Sequence, residues 1–140
     1  MQTNKSSYLT GLANMASSLS KEIGPSYIEV DCFDKKNYQK EFQEYYEIKE
    51  NIELIETNLK LENILSFWLG KDRNIIESLI HWTSCAIGNP IKVYKLENEN
   101  KILNKLSRSE GGLGPFYTTE EIYFIEFKND MTCFMIGNDE

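Results

Sequence analysis

Hydrophobic and polar positions change period several times along the chain, and each change marks an element. Tyr8, Leu12, Met15, Ala16 and Leu19 recur at helical spacing until Gly24-Pro25 stops the pattern, which predicts one amphipathic helix after a polar, frayed stretch over residues 1–7. Ser26 to Phe33 alternates instead. Ile28, Val30 and Cys32 fall on one side and Tyr27, Glu29, Asp31 and Phe33 on the other, which predicts a strand with one wetter face, closed by Asp34 as a cap for the next helix.

Glutamate then occupies every third position: Glu41, Glu44, Glu47, Glu50, Glu53 and Glu56. A step of three falls about 60° short of a full turn on a helix of about 3.6 residues per turn. The first four glutamates therefore sweep the side opposite Tyr38, Phe42, Tyr45 and Ile52, while Glu53 and Glu56 drift onto that apolar stripe, so the helix is expected to end near Glu50 or Asn51. Ile52 to Glu56 reads as an irregular turn, with a short strand as the alternative, before a second helix from Asn58 to Gly70. From Asn74 to Ile87 the apolar positions Ile75, Ile76, Leu79, Ile80, Thr83, Ala86 and Ile87 are wider than a stripe, and Asn74 with Glu77 forms a capping-box start; this is the expected central buried helix. Gly88-Asn89-Pro90 ends it, Ile91 to Leu96 reads as a strand with Lys101 to Leu106 as its return, and the glycine-rich Ser107 to Pro115 reads as a loop.

The strongest strand signal comes last. Ile122 to Phe127 and Met131 to Ile136 are dense in β-branched and aromatic residues and flank a short polar segment, which predicts a hairpin with a two-residue loop at Asn129-Asp130. That register puts Phe127 opposite Thr132, Ile125 opposite Phe134 and Tyr123 opposite Ile136 on a core face, with Glu126 opposite Cys133 and Phe124 opposite Met135 on the other. Because the second face is also largely apolar, the hairpin belongs at the centre of a sheet or under partial cover on both sides. Thr118-Thr119-Glu120-Glu121 matches a helix capping box, but the strand-like continuation overrides it. The expected fold is α+β: one domain of 140 residues, with an antiparallel sheet centred on the C-terminal hairpin and helices packed mainly on one face.

Charge and cysteine usage narrow the function. The 22 acidic against 15 basic residues give a formal net charge of −7, which disfavours nucleic acid and anionic membranes as partners and favours basic proteins. Cys32, Cys85 and Cys133 are widely spaced, odd in number and set in apolar runs, as expected of buried reduced thiols in a cytoplasmic protein. No apolar run is long enough to span a membrane, and no secretory leader pattern is present.

Candidate chemistry is sparse. His81 is the only histidine, so histidine-pair metal sites and the HExxH and CxxC spacings are absent. His81 and Cys85 are four residues apart on one helix face, in reach of a cysteine–histidine pairing, but the apolar context of Cys85 reads as structural. The Gly111-Gly112-Leu113-Gly114-Pro115 segment lacks the Lys-Ser/Thr pair of a phosphate cradle. Carboxylate pairs such as Glu120-Glu121 are too common in so acidic a chain to nominate an acid–base catalyst. No catalytic, metal or cofactor site, and so no enzyme, is predicted.

A small, acidic, aromatic-rich single domain without a catalytic signature resembles the immunity proteins that protect bacteria from the toxins of neighbouring or sibling cells. The resemblance is one of overall type and covers the whole chain. It implies a partner that is a basic toxin domain, most plausibly a nuclease, whose active site or substrate groove is blocked. The candidate docking residues are Glu41, Glu44, Glu47 and Glu50 beside Tyr45, with Tyr46 as a further aromatic anchor unless it belongs to the core, together with Tyr117 and a second acidic cluster of Asp130, Asp139 and Glu140. The glutamate row also reads as a solvated helix face supported by Lys40 and Lys49. A second class of function is a small-molecule-binding or adaptor domain, with a pocket between the sheet and the Asn74 to Ile87 helix and Trp82, Tyr117 and the glycine loop at its mouth.

Overall fold

The C-terminal hairpin occupies the middle of the sheet. In a computed structural model of the protein, residues 4–19, 26–70, 72–106 and 117–139 are described. Their elements run α1 (Asn4–Leu19), β1 (Ser26–Asp34), α2 (Tyr38–Tyr46), β2 (Leu54–Glu56), α3 (Leu61–Leu69), α4 (Arg73–Ile87), β3 (Lys92–Leu96), α5 (Glu99–Leu106), β4 (Tyr117–Glu126) and β5 (Asp130–Asp139). The strand order is β1-β5-β4-β3-β2, with every neighbouring pair antiparallel. This is the expected α+β fold with β4 and β5 as its central hairpin.

The turn sits one residue earlier than expected. The Phe127 amide donates to the Asp130 carbonyl at 2.8 Å, closing the hairpin over Lys128-Asn129 rather than Asn129-Asp130. Ile125 therefore faces Thr132, Tyr123 faces Phe134 and Phe124 faces Cys133. Moving the turn by one residue slips the pairing by two, which keeps every side chain on its own face. The expected pairs are wrong and the expected faces right. Farther along, the ladder shifts between Thr119 and Glu121, a bulge at the outer end of β4.

Both faces of the hairpin are buried. Tyr123, Ile125, Phe127, Phe134 and Ile136 join Ile28, Val30, Cys32 and Val93 under the helices α1, α3 and α4, which contribute Leu9, Ala13, Leu65, Leu69 and Ile76. Ile122, Phe124, Met131, Cys133 and Met135 form a second core with Phe33 and Leu96 under the short helices α2 and α5 and the segment between α2 and β2, which contribute Phe42, Tyr46, Ile48, Ile52, Ile102 and Leu106. Most helical residues thus lie on the expected face, with a lighter cover on the other.

α1 also closes one edge of the sheet. Ser6, Thr10 and Asn14 lie four residues apart, a rise of about 6 Å in a helix, close to the roughly 6.6 Å between alternate residues of a strand. The match lets each side chain serve one residue of β1. Cys32 N–H donates to Ser6 Oγ at 2.9 Å and Val30 N–H to Thr10 Oγ1 at 2.9 Å. Asn14 accepts from Ile28 N–H at 3.0 Å and returns a donor to the Ile28 carbonyl at 2.7 Å. Residues 4–7, expected to be frayed, belong to the helix because Ser6 is needed there.

Four other expectations are corrected. Lys101 to Leu106 is not a return strand but the second half of α5; β3 finds its partner in β4, and Ile102 and Leu106, four apart, anchor the helix in the second core. α2 ends at Tyr46 rather than near Glu50, because Glu47 adopts a left-handed conformation (φ 56°) that turns Ile48 and Ile52 back into the core. Leu54–Glu56 is a short strand rather than an irregular turn, completing the edge beside β3. The helices expected from Asn58 and Asn74 start at Leu61 and Arg73, the latter capped by Asp72, whose Oδ1 accepts the Ile75 amide at 3.3 Å. Gly24-Pro25 and Ser107 to Pro115 lie outside the described residues.

Phe134 is buried at the centre of the larger core. Phe134→Ala should cost about 3–5 kcal/mol in chemical denaturation; a loss below about 1 kcal/mol would place the hairpin at the periphery.

Candidate functional site

The glutamate row does not act as one surface. Glu41 turns its carboxylate to the end of β1, where it accepts the Asp34 amide at 3.2 Å. Glu44 and Glu47 are exposed. Glu50 is half-buried and paired with Lys105 at 3.5 Å, and its carboxyl is held below the usual range first by its own backbone amide and then by Lys105. Tyr45 is half-buried, packed edge-on against Tyr46 at 4.7 Å between ring centroids, and belongs partly to the second core.

The chain after α2 is fixed to the helix by two glutamines one turn apart. Gln43 Nε2 donates to the carbonyls of Lys49 (3.2 Å) and Glu50 (2.9 Å), and Gln39 Oε1 accepts the Ile52 amide at 3.0 Å. Asn98 continues the attachment, donating to the Asn51 carbonyl at 2.8 Å and accepting the Glu53 amide at 3.3 Å. Glu44, Glu47, Glu53 and Glu56 are therefore exposed along a pinned backbone that leads into β2, the sheet edge opposite the one that α1 closes.

The second predicted acidic cluster is not a surface. Asp130 is buried and forms an ion pair with Lys5 at 2.8 Å, which withdraws it from docking. Tyr117 and Asp139 are paired Cα partners at the open end of the hairpin, and Glu140 lies outside the described residues. Around Asp130 the chain instead forms a mixed-charge cleft of about 510 Å³ lined by Lys5, Lys35, Lys36, Lys128, Asp34 and Glu41. Two of its four lysines are matched: Lys5 by Asp130, and Lys35 by Glu126 at 2.7 Å.

An apolar groove of about 240 Å³ lies between α1 and α4, lined by Leu12, Met15, Leu19, Ile75, Leu79 and Trp82. The expected pocket between sheet and helix is thus found instead at a helix–helix seam, while Ile76, Leu79, Thr83 and Ile87 are the buried positions of α4. Trp82 stands at the groove, half exposed. The outer side of α4, taken from its sequence as buried, carries exposed His81 and Cys85, with Cys85 Sγ 3.7 Å from His81 Nε2. The structure brings this pair together, but neither residue lines the groove. The expectation of three buried cysteines is corrected at Cys85: its neighbours Thr83 and Ile87 take the core side of the helix and leave it outside.

What the alternating pattern of β1 concealed is a buried acidic cluster. Glu29 and Asp31, read as the wetter face, are 7% and 2% exposed, and Tyr46 from the last turn of α2 is fully buried over them with its hydroxyl bonded to both carboxyl groups. Burial first, and then the neighbouring Asp31 charge, push the Glu29 carboxyl well above its ordinary range. A second polar group sits by the bulge, where Trp68 Nε1–H and Tyr123 O–H both donate to Glu121 Oε2, at 3.0 and 2.9 Å.

Among the described residues no group of three or more His, Cys, Asp or Glu side chains is arranged to hold a metal ion, and no helix is long and apolar enough to cross a membrane. Comparison with protein families, characterised proteins and solved structures finds no match to this chain.

The thiols give a direct check on this geometry. Burial pushes Cys32 up to about 11 and Cys133 well above the ordinary thiol value, and both are enclosed. In the native protein Cys85 should react quickly with a thiol reagent, while Cys32 and Cys133 wait for denaturant. Equal rates for all three would contradict the packing of β1 and β5.

Proposed function

We propose that this protein works by binding a basic protein through the acidic edge formed by the outer side of α2 and the pinned chain after it. The reading fits an immunity protein that occupies the active site or substrate groove of a nuclease toxin domain, and does so as a binder rather than an enzyme. The observation that carries it is the exposure of Glu44, Glu47, Glu53 and Glu56 on a backbone fixed by Gln39, Gln43 and Asn98. Carboxylates held on a rigid frame lose little freedom on docking and steer a cationic partner before contact. Ile55, exposed between Glu53 and Glu56, supplies apolar area beside the charges.

The apolar groove between α1 and α4 favours a second reading, an adaptor or ligand-binding domain that uses Trp82, Met15 and Leu19. The two readings use different surfaces, so substitutions separate them. Glu44→Lys with Glu47→Lys should leave the unfolding midpoint within the equivalent of about 0.5 kcal/mol, because both side chains are exposed. The same pair should slow association with a basic nuclease domain about tenfold or more at low salt, with the difference shrinking as salt is raised. Co-expression with a toxin encoded beside the gene should show rescue by the parent and weaker rescue by the pair. Full protection by the pair at limiting expression, with loss of protection on Trp82→Ala instead, would move the function to the groove.

A further inference from the structure

Glu29 and Asp31 stand two residues apart on β1, so both side chains leave the strand on the face that α2 covers. Tyr46 reaches down from the end of α2, and its phenolic oxygen contacts Glu29 Oε2 and Asp31 Oδ2 at the same time. A phenol carries a single hydrogen. It can donate fully to one carboxylate, and sharing it between two ionised ones leaves both bonds weak and their charges opposed; the second close contact becomes favourable when that carboxyl brings a hydrogen of its own. Holding both contacts firmly therefore takes a proton that neither a Tyr46 hydroxyl nor two ionised carboxylates can provide. We propose that Glu29, Asp31 and Tyr46 form a proton-dependent latch, closed on the sheet while one carboxyl is protonated and loosened at the C-terminal end of α2 when that proton leaves.

Glu29 is the holder of the proton. Its carboxyl is raised by burial and by the Asp31 charge, and among the described residues no ion pair reaches it. Among the described residues, titratable groups that face the pair from the packed elements include Tyr46 on α2 and Cys133 on β5, the latter being the register partner of Asp31. Both are themselves pushed up, Tyr46 by burial and then by the two carboxylates and Cys133 by burial and the same charges, so neither ionises in place of Glu29. The remaining charges of α2 do not reach the cluster: Lys40 and Glu44 are exposed and Glu41 is engaged with the Asp34 amide.

The sign is set by linkage. In an unfolded chain Glu29 loses its proton near the ordinary value of 4.5, whereas the folded chain keeps it to higher pH. Across that interval the folded state binds more protons, so stability falls as pH rises, until the folded carboxyl also ionises. The loss is felt where α2 meets Glu47 and the pinned acidic segment, whatever partner that segment binds.

Amide exchange resolved by residue tests the latch. Protection at Phe42, Tyr46 and Ile48, corrected for intrinsic rates, should drop at least about tenfold relative to Leu79 on α4 between about pH 5 and about pH 9. Glu29→Gln keeps the shape and a donor but cannot ionise, and should make the ratio independent of pH. If that variant does not fold, the unmodified protein still decides through the carbon-13 titration of the Glu29 carboxyl. A midpoint clearly above the ordinary glutamate range supports the latch, and one within or below it overturns the proposal. A parent ratio that does not change with pH, or an unchanged pH dependence in Glu29→Gln, would also overturn it.

Discussion

A hairpin that is apolar on both faces is the constraint on which the rest of this structure depends. One layer of helices can bury Tyr123, Ile125, Phe134 and Ile136, but it leaves Ile122, Phe124, Cys133 and Met135 in water. The chain meets this with two layers of unequal weight. α1, α3 and α4 form the thick one, and the second is assembled from two short helices and a few residues of irregular chain, among them Ile48 and Ile52. The left-handed Glu47 is tolerated because the turn it makes delivers those two isoleucines to the core.

The same economy governs the edges. β1 would present unpaired amides and carbonyls to solvent, and α1 satisfies them with three short polar side chains at a spacing that matches the strand. The opposite edge is only three residues long, and exposed glutamates accompany it. Closing one edge by a helix and keeping the other short and charged discourages association between copies.

Much of the fold was legible because long periodic runs decide their own state: the α1 and α4 helices and the β1, β4 and β5 strands are all encoded in spacing. The errors fell where spacing competes with packing. Lys101 to Leu106 has too few residues for its helical period to outweigh a strand reading, and only the pairing of β3 with β4 settles it. No glycine announces the end of α2, so its early stop at Glu47 had no local signal. The burial of Glu29 and Asp31 was hidden for the same reason: alternation says that two faces differ, not that the polar one is wet. Tyr46, a partner seventeen residues from Glu29, was the missing information. At the candidate site, exposure of Glu44 and Glu47 matches the sequence reading, whereas Asp130 was lost to Lys5, a pairing across most of the chain that no local pattern encodes.

If both helical layers depend on β4 and β5, these strands are the last elements to open. Amides in the middle of the hairpin, such as Phe124 and Phe134, then exchange only by complete unfolding. Native-state hydrogen exchange should give these amides a free energy equal to that of global unfolding measured by denaturant, and above that of β2 and the end of α2. Exchange of the hairpin through a cheaper local opening, with α1 and α4 still protected, would contradict the claim that the rest of the chain is built upon it.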